Sequence, residues 1–242
     1  MGKKFGIIAG LGLAILAVGF GLGVLPTGRV AAQEGAAVEA PWPKDIDPRT
    51  GYRLPLPTRE DMRTDEDRQI YDEMTKGRGP VLWLYNPKLA KAMTGVHAYL
   101  KNESALDQRL VKIAVLVTAR AHDSQIEWTL WEGFSRAGQP PAVEPAIIDI
   151  IKYCKPVSGL GPKETLIINF GRELLGRDKK VSSETFAESV RLFGRAGTID
   201  LVDLMAIYGV TITEMKAYDA HLKPGQKPLL PPLASTPNCT QS

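Results

Sequence analysis

The segment HDSQIEWTLW, residues 122–131, concentrates side chains that can do chemistry. It contains an imidazole at His122, a hydroxyl at Ser124 and a carboxylate at Glu127, together with two indole rings. Imidazole and carboxylate groups move protons near neutral pH when burial raises the pKa of the carboxylate. The residue types of this segment therefore predict acid–base chemistry in a small apolar pocket.

The spacing of Ser124, Glu127 and Trp131 supports two interpretations. At i, i+3 and i+7 the three residues share one face of a helix. In the functional interpretation, Glu127 lies about 100° around the helix from the apolar Ile126 and is at least half buried beside an indole. In the structural interpretation, Ser124 and Glu127 form a capping box that satisfies the first amides of the helix. Both roles can hold together, because a helix start is a common ligand site.

The rest of the same helix predicts ordinary packing. A core stripe is expected at every third or fourth residue, with Glu132 and Arg136 paired on the outer face. The residues of this expected stripe are Ile126, Leu130, Phe134 and Ala137.

Helical periodicity dominates the chain from residue 58 to residue 222, and no long segment alternates as a strand would. We expect one all-α domain over 58–222. Its predicted helices cover residues 58–74, 86–100, 107–121, 124–137, 143–153, 162–175, 182–193 and 198–221. In the second helix the expected buried face consists of Leu89, Met93, Val96 and Leu100. The helix at 107–121 carries apolar residues nearly all round and is predicted to be buried.

The two ends of the chain predict export and extended arms. Residues 1–32 have the order of a secretory signal: Lys3 and Lys4, an apolar stretch over 5–25, then small residues before Gln33. An uncleaved membrane anchor is the alternative, because the stretch reaches the roughly 20 residues that span a bilayer. The expected location is periplasmic or secreted. The linker at 33–57 and the tail at 223–242 are rich in proline and predict arms that lie on a surface or in solvent.

Composition excludes several classes of function. The chain has 242 residues and a net charge of +3, with its basic residues scattered, so a nucleic-acid partner is not expected. The two cysteines, Cys154 and Cys239, form no CxxC, which excludes vicinal-dithiol chemistry and cysteine-rich zinc sites. In an oxidising compartment the two can pair. No cofactor or metal is predicted.

Several segments, in this order and spacing, resemble the carboxymuconolactone decarboxylase and alkylhydroperoxidase-D superfamily. The similarity runs from about residue 85 to residue 224. It implies an all-helical fold that assembles as a homotrimer or hexamer, with active sites near subunit contacts. The segments are LDQRLVKIAVLVTARAHDSQIEWTLWEGFSRAG, PAIIDIIK, KETLIINFGRELL, VSSETFAESVRLFG and LVDLMAIYG.

Only some of the family's functional residues are present at the matching positions of this sequence. Ser124 and Glu127 stand where the peroxidase branch has its two cysteines. Glu127 and Trp128 match the E-W-x-x-H of the decarboxylase-like branch, whereas Trp131 replaces its histidine. Lys112 stands where an upstream glutamate is usual. The absent thiols make peroxide reduction the least expected activity.

Together these observations predict a cofactor-free lyase, such as a decarboxylase, or an isomerase acting on a small carboxylate or lactone. Glu127 would move the proton and His122 would assist. A non-catalytic, oligomeric binding protein of the same fold is the alternative. The apolar residues 81–85 are expected in the core or in a subunit contact. The expected substrate-binding residues are Lys112, Ser124, Trp128, Trp131 and Tyr208.

Overall fold

The computed structural model describes residues 42–77, 79–136 and 142–233. The predicted signal segment at 1–32 and Cys239 lie outside these ranges. Within them the chain forms seven α-helices and no strand, apart from one isolated bridge between Asp47 and Tyr52. The all-α prediction is therefore confirmed. The helices are α1 (Asp65–Thr75), α2 (Pro87–Asn102), α3 (Gln108–Ala121), α4 (Gln125–Arg136), α5 (Pro145–Lys152), α6 (Pro162–Leu175) and α7 (Ser183–Ala217).

Local capping explains why several helices begin where the sequence predicts. The Asn86 side chain accepts from the amide of Leu89, and proline follows at the first helical position of α2. The Asp107 carboxylate accepts from two amides in the first turn of α3. Ser182 caps α7 by accepting from the amide of Thr185.

Two predicted helix boundaries are wrong. Thr58 begins a short 3₁₀ helix (Arg59–Asp61), and α1 starts later because Thr64 forms a capping box of its own. Thr198 does not begin a helix: it lies inside α7, where its hydroxyl donates to the carbonyl of Gly194. The interruption of α7 is at Gly194 itself, whose φ of 72° is accessible to glycine and strained for other residues.

Helix α3 forms the centre of the core and packs against α4, α6 and α7. Ten of its residues, 111–120, are all buried, which confirms the sequence-based expectation. Gly171 of α6 allows a close approach to α3. A Cβ atom at this position would lie 2.3 Å from Val117 Cγ1 and 3.1 Å from Met205 Cε, so no larger residue fits without a shift.

Helix α7 is long and apolar enough to span a membrane by length and composition alone. Half of its most apolar stretch is buried inside the protein, as in a core helix.

A second, smaller core joins α1 to the start of α2. It consists of Ile70, Met74, Leu84 and Ala90, so the apolar residues 81–85 contribute to the interior of this chain.

The segment before α1 is docked on the end of α7. Tyr52 and Ile46 are buried. Backbone hydrogen bonds join Arg53 N to Tyr218 O, and His221 N to Gly51 O, each at 2.9 Å. The described part of the linker therefore packs against the helical domain and brings Tyr52 toward its interior.

Candidate active site

Helix α4 is rotated relative to the packing predicted from its sequence. Its buried face contains Glu127, Trp128, Trp131, Glu132 and Ser135. The expected stripe is wrong: its three described residues, Ile126, Leu130 and Phe134, are only partly buried. Trp128 and Trp131 bury more apolar area than the three residues of the expected stripe would. Because Glu127 and Glu132 share the helix face of these tryptophans, both carboxyl groups are buried as well.

Glu127 is the most unusual residue of this face. It is 0% exposed, and neither carboxylate oxygen has a hydrogen-bond partner in the described part of the chain. Burial raises its pKa from 4.5 to about 7. The prediction that Glu127 is at least half buried is confirmed, and its carboxyl group is set to exchange protons near neutral pH.

The capping box predicted for Ser124 and Glu127 is not formed. The amide of Ser124 donates to the carbonyl of Ala119 at 2.9 Å, so this amide is already satisfied without the Glu127 carboxylate. Ser124 is buried at the start of α4. The structural interpretation of Glu127 is therefore wrong.

Trp131, one turn further along α4, interacts with the Glu127 carboxyl group. Its indole N–H lowers the pKa of Glu127, which partly opposes the effect of burial. The contact does not have the geometry of a full hydrogen bond, because neither Trp131 Nε1 nor the carboxylate oxygens are paired among the described residues. The interaction is therefore weak, and the pKa of the Glu127 carboxyl group stays raised.

Two buried tyrosines flank the same carboxyl group. Burial and the negative charge of Glu127 both raise the pKa of Tyr208, whose hydroxyl has no partner within the described chain. Tyr52 reaches the site from the docked segment, and its pKa is raised by burial, then by Glu127 and Glu214. Both phenols therefore stay protonated and can donate hydrogen bonds.

His97 of α2 belongs to this group, although the sequence analysis did not select it. Its ring lies edge-on to Tyr208, with centroids 4.9 Å apart. Burial, followed by the positive charge of Lys101, lowers its pKa to about 4, so the imidazole is neutral at pH 7. The sequence did not predict it because two residues of the predicted buried face, Leu89 and Val96, are 46% and 48% exposed. The other two, Met93 and Leu100, pack in the core as predicted, and together with the burial of Ala90 they turn His97 inward.

Aromatic rings connect Glu127 with a second carboxyl group of raised pKa. We call the four rings of Trp83, His97, Tyr208 and Trp131 the aromatic row; successive centroids are 6.0, 4.9 and 5.4 Å apart. At its far end, Trp83 Nε1 donates to Glu214 Oε2 at 2.7 Å. Burial raises the pKa of Glu214, and the Trp83 hydrogen bond partly opposes this.

One lysine lies near the Trp131 end of the row, and a second lysine interacts with the first. Lys101 Nζ is 5.6 Å from the centre of the Trp131 ring. Burial, and then the charge of Lys112, lower the pKa of Lys101. Lys112 is buried on α3, and burial lowers its pKa as well. This positive charge could attract an anionic substrate toward Trp131.

Trp128 faces a different network. Its indole N–H donates to Glu132 Oε2, and Lys152 Nζ lies 5.8 Å from its ring centre. Glu132 also pairs with Arg136 and Lys152, each at 2.8 Å. The predicted Glu132–Arg136 pair therefore forms, but Glu132 is buried rather than on the outer face. The structure does not bring Trp128 together with the aromatic row.

His122 lies at the end of α3 against α7. A Cβ atom on Gly209 would be 3.5 Å from His122 Nε2, and Lys216 Nζ donates to the His122 carbonyl at 2.8 Å. Burial, then Lys216, lower its pKa. The contacts of His122 are with Gly209 and Lys216, whereas Glu127 interacts with Trp131 and the two tyrosines.

The described residues contain no group of three His, Cys, Asp or Glu side chains that could hold a metal ion. Cys154 is disulfide-bonded and lies at the end of α5.

The comparisons with known proteins address the fold. No protein-family model and no curated protein sequence matches this chain. A crystal structure of the debrominase Bmp8 aligns with a TM-score of 0.52 and 16% identity, over 69% of this chain and 90% of that chain. A cysteine-to-alanine variant of Bmp8 in complex with 2,3,4-tribromopyrrole gives the same score and identity, over 89% of that chain. At this identity the likeness shows a shared helical fold.

Proposed function

We propose that this protein is a cofactor-free lyase or isomerase of the carboxymuconolactone decarboxylase type, which moves a proton on a small carboxylate or lactone. The observation that carries the proposal is Glu127: it is completely buried, has no hydrogen-bond partner among the described residues, and has a pKa raised to about 7. A perturbed carboxyl group of this kind is a frequent sign of a catalytic acid or base. The occurrence of the fold in a debrominase supports small-molecule chemistry.

The chemistry assigned to Glu127 is proton transfer in both directions. In a decarboxylation, the departing CO₂ leaves an electron pair on carbon, and the protonated Glu127 gives its proton to that carbon. In an isomerisation, the carboxylate form takes a proton from one carbon and returns it to another. Tyr208 and Tyr52 donate hydrogen bonds to the developing oxyanion, and Lys112 with Lys101 attracts the negative substrate.

We assign one imidazole of this arrangement to His97, which the sequence did not predict. His97 packs on Tyr208, next to Glu127, and stays neutral at pH 7 because its pKa is about 4. A neutral imidazole can donate one hydrogen bond and accept another. The assisting role predicted for His122 remains a prediction.

Substrate screening tests the proposal. We expect thermal-shift hits among small acids and lactones, and turnover of at least one hit. Glu127→Gln should lower turnover by about 10²–10⁴-fold, the usual contribution of a general acid or base. Glu184→Gln removes an exposed carboxylate of α7 and serves as the matched control. Full activity of Glu127→Gln on such a substrate would contradict the proposal.

A non-catalytic binding protein of the same fold is the second candidate. The complete burial of Glu127 favours it, because a substrate must displace neighbouring side chains to reach the carboxyl group. Ligands that bind but are not converted by the wild-type protein would favour this candidate.

The proposal includes an exported homotrimer or hexamer. Leu89, Val96 and Tyr99 form an exposed apolar stripe on α2 that suits a subunit contact. Light scattering should give a multiple of three chain masses, and N-terminal sequencing should find Gln33 first.

A further inference from the structure

A cavity of about 470 Å³ lies between α3, α5 and α6. Its apolar walls include Val117, Ile151 and Ile168, from α3, α5 and α6. Three guanidinium groups, those of Arg120, Arg172 and Arg177, also line it. We call this cavity the arginine cleft. It shares no described lining residue with the aromatic row, and its volume lies within the usual range for small-molecule sites.

Arg120 is the buried cation of the arginine cleft. Its residue is 4% exposed, and burial lowers its pKa, which the charge of Asp123 opposes. Arg120 Nη1 donates to Pro231 O at 2.9 Å, and Nη2 to Asp123 Oδ1 at 2.6 Å. Its Nε–H is buried without a partner among the described residues. A buried donor of this kind calls for an acceptor that the described residues do not supply.

Arg172 and Arg177 add positive charge that no described residue balances with an ion pair. Arg172 Nη2 donates to two backbone carbonyls, Lys155 O at 2.9 Å and Ile150 O at 3.3 Å, which carry no net charge. Burial lowers the pKa of Arg172. Neither arginine forms an ion pair within the described chain, and none of the described lining residues is acidic. The arginine cleft therefore favours an anion.

We propose that the arginine cleft binds an organic carboxylate that carries a short hydrocarbon chain. The planar guanidinium groups match a carboxylate, since each can donate two parallel hydrogen bonds. The aliphatic side chains of α3, α5 and α6 suit the hydrocarbon part, which inorganic anions lack. This ligand is held apart from Glu127, so the site is additional to the proposed active site.

Calorimetric titration of the full-length protein with octanoate tests the proposal. We expect saturable binding by the wild type, and much weaker binding of 1-octanol and of inorganic phosphate, which lack the carboxylate and the chain respectively. Arg172→Gln should weaken octanoate binding by about tenfold or more, the loss expected for a charged hydrogen bond. Glu127→Gln should bind octanoate as the wild type does, so failure of this proposal and failure of the proposed activity are distinguishable.

Two further variants distinguish a loss of binding from a loss of folding. Arg195→Gln removes an exposed guanidinium of α7 outside the arginine cleft and should bind normally. Arg172→Gln loses two bonds to backbone carbonyls, so Arg177→Gln, which changes an exposed residue, provides the second variant. It should weaken octanoate binding several-fold. No saturable binding by the wild type, equal affinity for octanol or phosphate, or unchanged affinity in a folded Arg172→Gln and in Arg177→Gln would overturn the proposal.

Discussion

Glu127 and Glu132 lie on the same buried face of α4, but their pKa values are shifted in opposite directions. Burial disfavours the charge of Glu132, but hydrogen bonds from Lys152, Arg136 and Trp128 overcome this and lower its pKa. Glu127 is completely buried and no cation lowers its pKa, so burial raises that pKa to about 7. Burial acts on both carboxyl groups, and the partners of Glu132 reverse its effect. Such partners separate a structural carboxylate from one that can exchange protons.

The largest effect is expected from breaking the Glu132 network. Glu132→Gln leaves Lys152 buried without its anion, so the free energy of unfolding should fall by about 3–5 kcal/mol. Urea denaturation at neutral pH measures the change. Adding Lys152→Met should recover part of the loss, because the uncompensated charge is removed. A loss below about 1 kcal/mol would contradict this prediction, because it would equal the contribution of an exposed surface ion pair.

The second effect is the pH dependence of stability caused by Glu127. Its folded pKa of about 7 lies above its ordinary value of 4.5, so the folded protein holds a proton that the unfolded chain has released. This group therefore stabilises the fold fully below pH 4.5, and the contribution is lost as pH rises to about 7, a change of about 3 kcal/mol. Glu127→Gln cannot ionise and should lose this part of the slope.

Denaturation of both proteins between pH 4.5 and about pH 8 isolates that contribution, because the other titrating groups cancel in the difference. Relative to the wild type, Glu127→Gln should gain stability as pH rises. Parallel curves would mean that Glu127 is solvated in the folded protein.

The smallest effect concerns the indole beside each carboxyl group. Trp131→Phe keeps a ring against Tyr208 but removes the N–H that lowers the pKa of Glu127, so this pKa should rise slightly. Trp128→Phe removes a hydrogen bond to Glu132 and should raise the pKa of Glu132 instead. Carboxyl NMR titrations distinguish the two, and a change at the other glutamate in either variant would contradict the separation.

Local signals predicted much of the fold. The Asp107 side chain and the proline at 162 give the starts of α3 and α6, because caps and prolines act within a few residues. The all-round apolar pattern of α3 predicted its burial. The predicted helix end at Phe193 is confirmed, because Gly194 interrupts α7 at the next residue. The predicted restart at Thr198 was wrong, since a threonine can cap a helix or bond back to a carbonyl inside one, and only the second occurs here.

The site was harder to predict because its members meet through long-range contacts. The burial of Glu127 followed from its spacing, whereas the role of its partners did not. Tyr52 comes from a segment assigned as a linker, and His97 from a helix whose buried face was only partly predicted. Lys152, on α5, pairs with the buried Glu132, which the sequence placed on the outer face. Hydrophobic periodicity and helix propensity describe one helix at a time, so they cannot show which helices contact each other.

Gly171 gives α3 a mechanical role that links the two sites. Val117, which the missing side chain allows to approach, lies between Lys112 and Arg120 on the same rigid helix. A larger residue at 171 would push α3 away from α6 as a unit, because a packed interior transmits strain. The displacement would move both Lys112 and Arg120. The absence of a side chain at Gly171 thus helps to fix the positions of two charged residues of α3, Lys112 and Arg120.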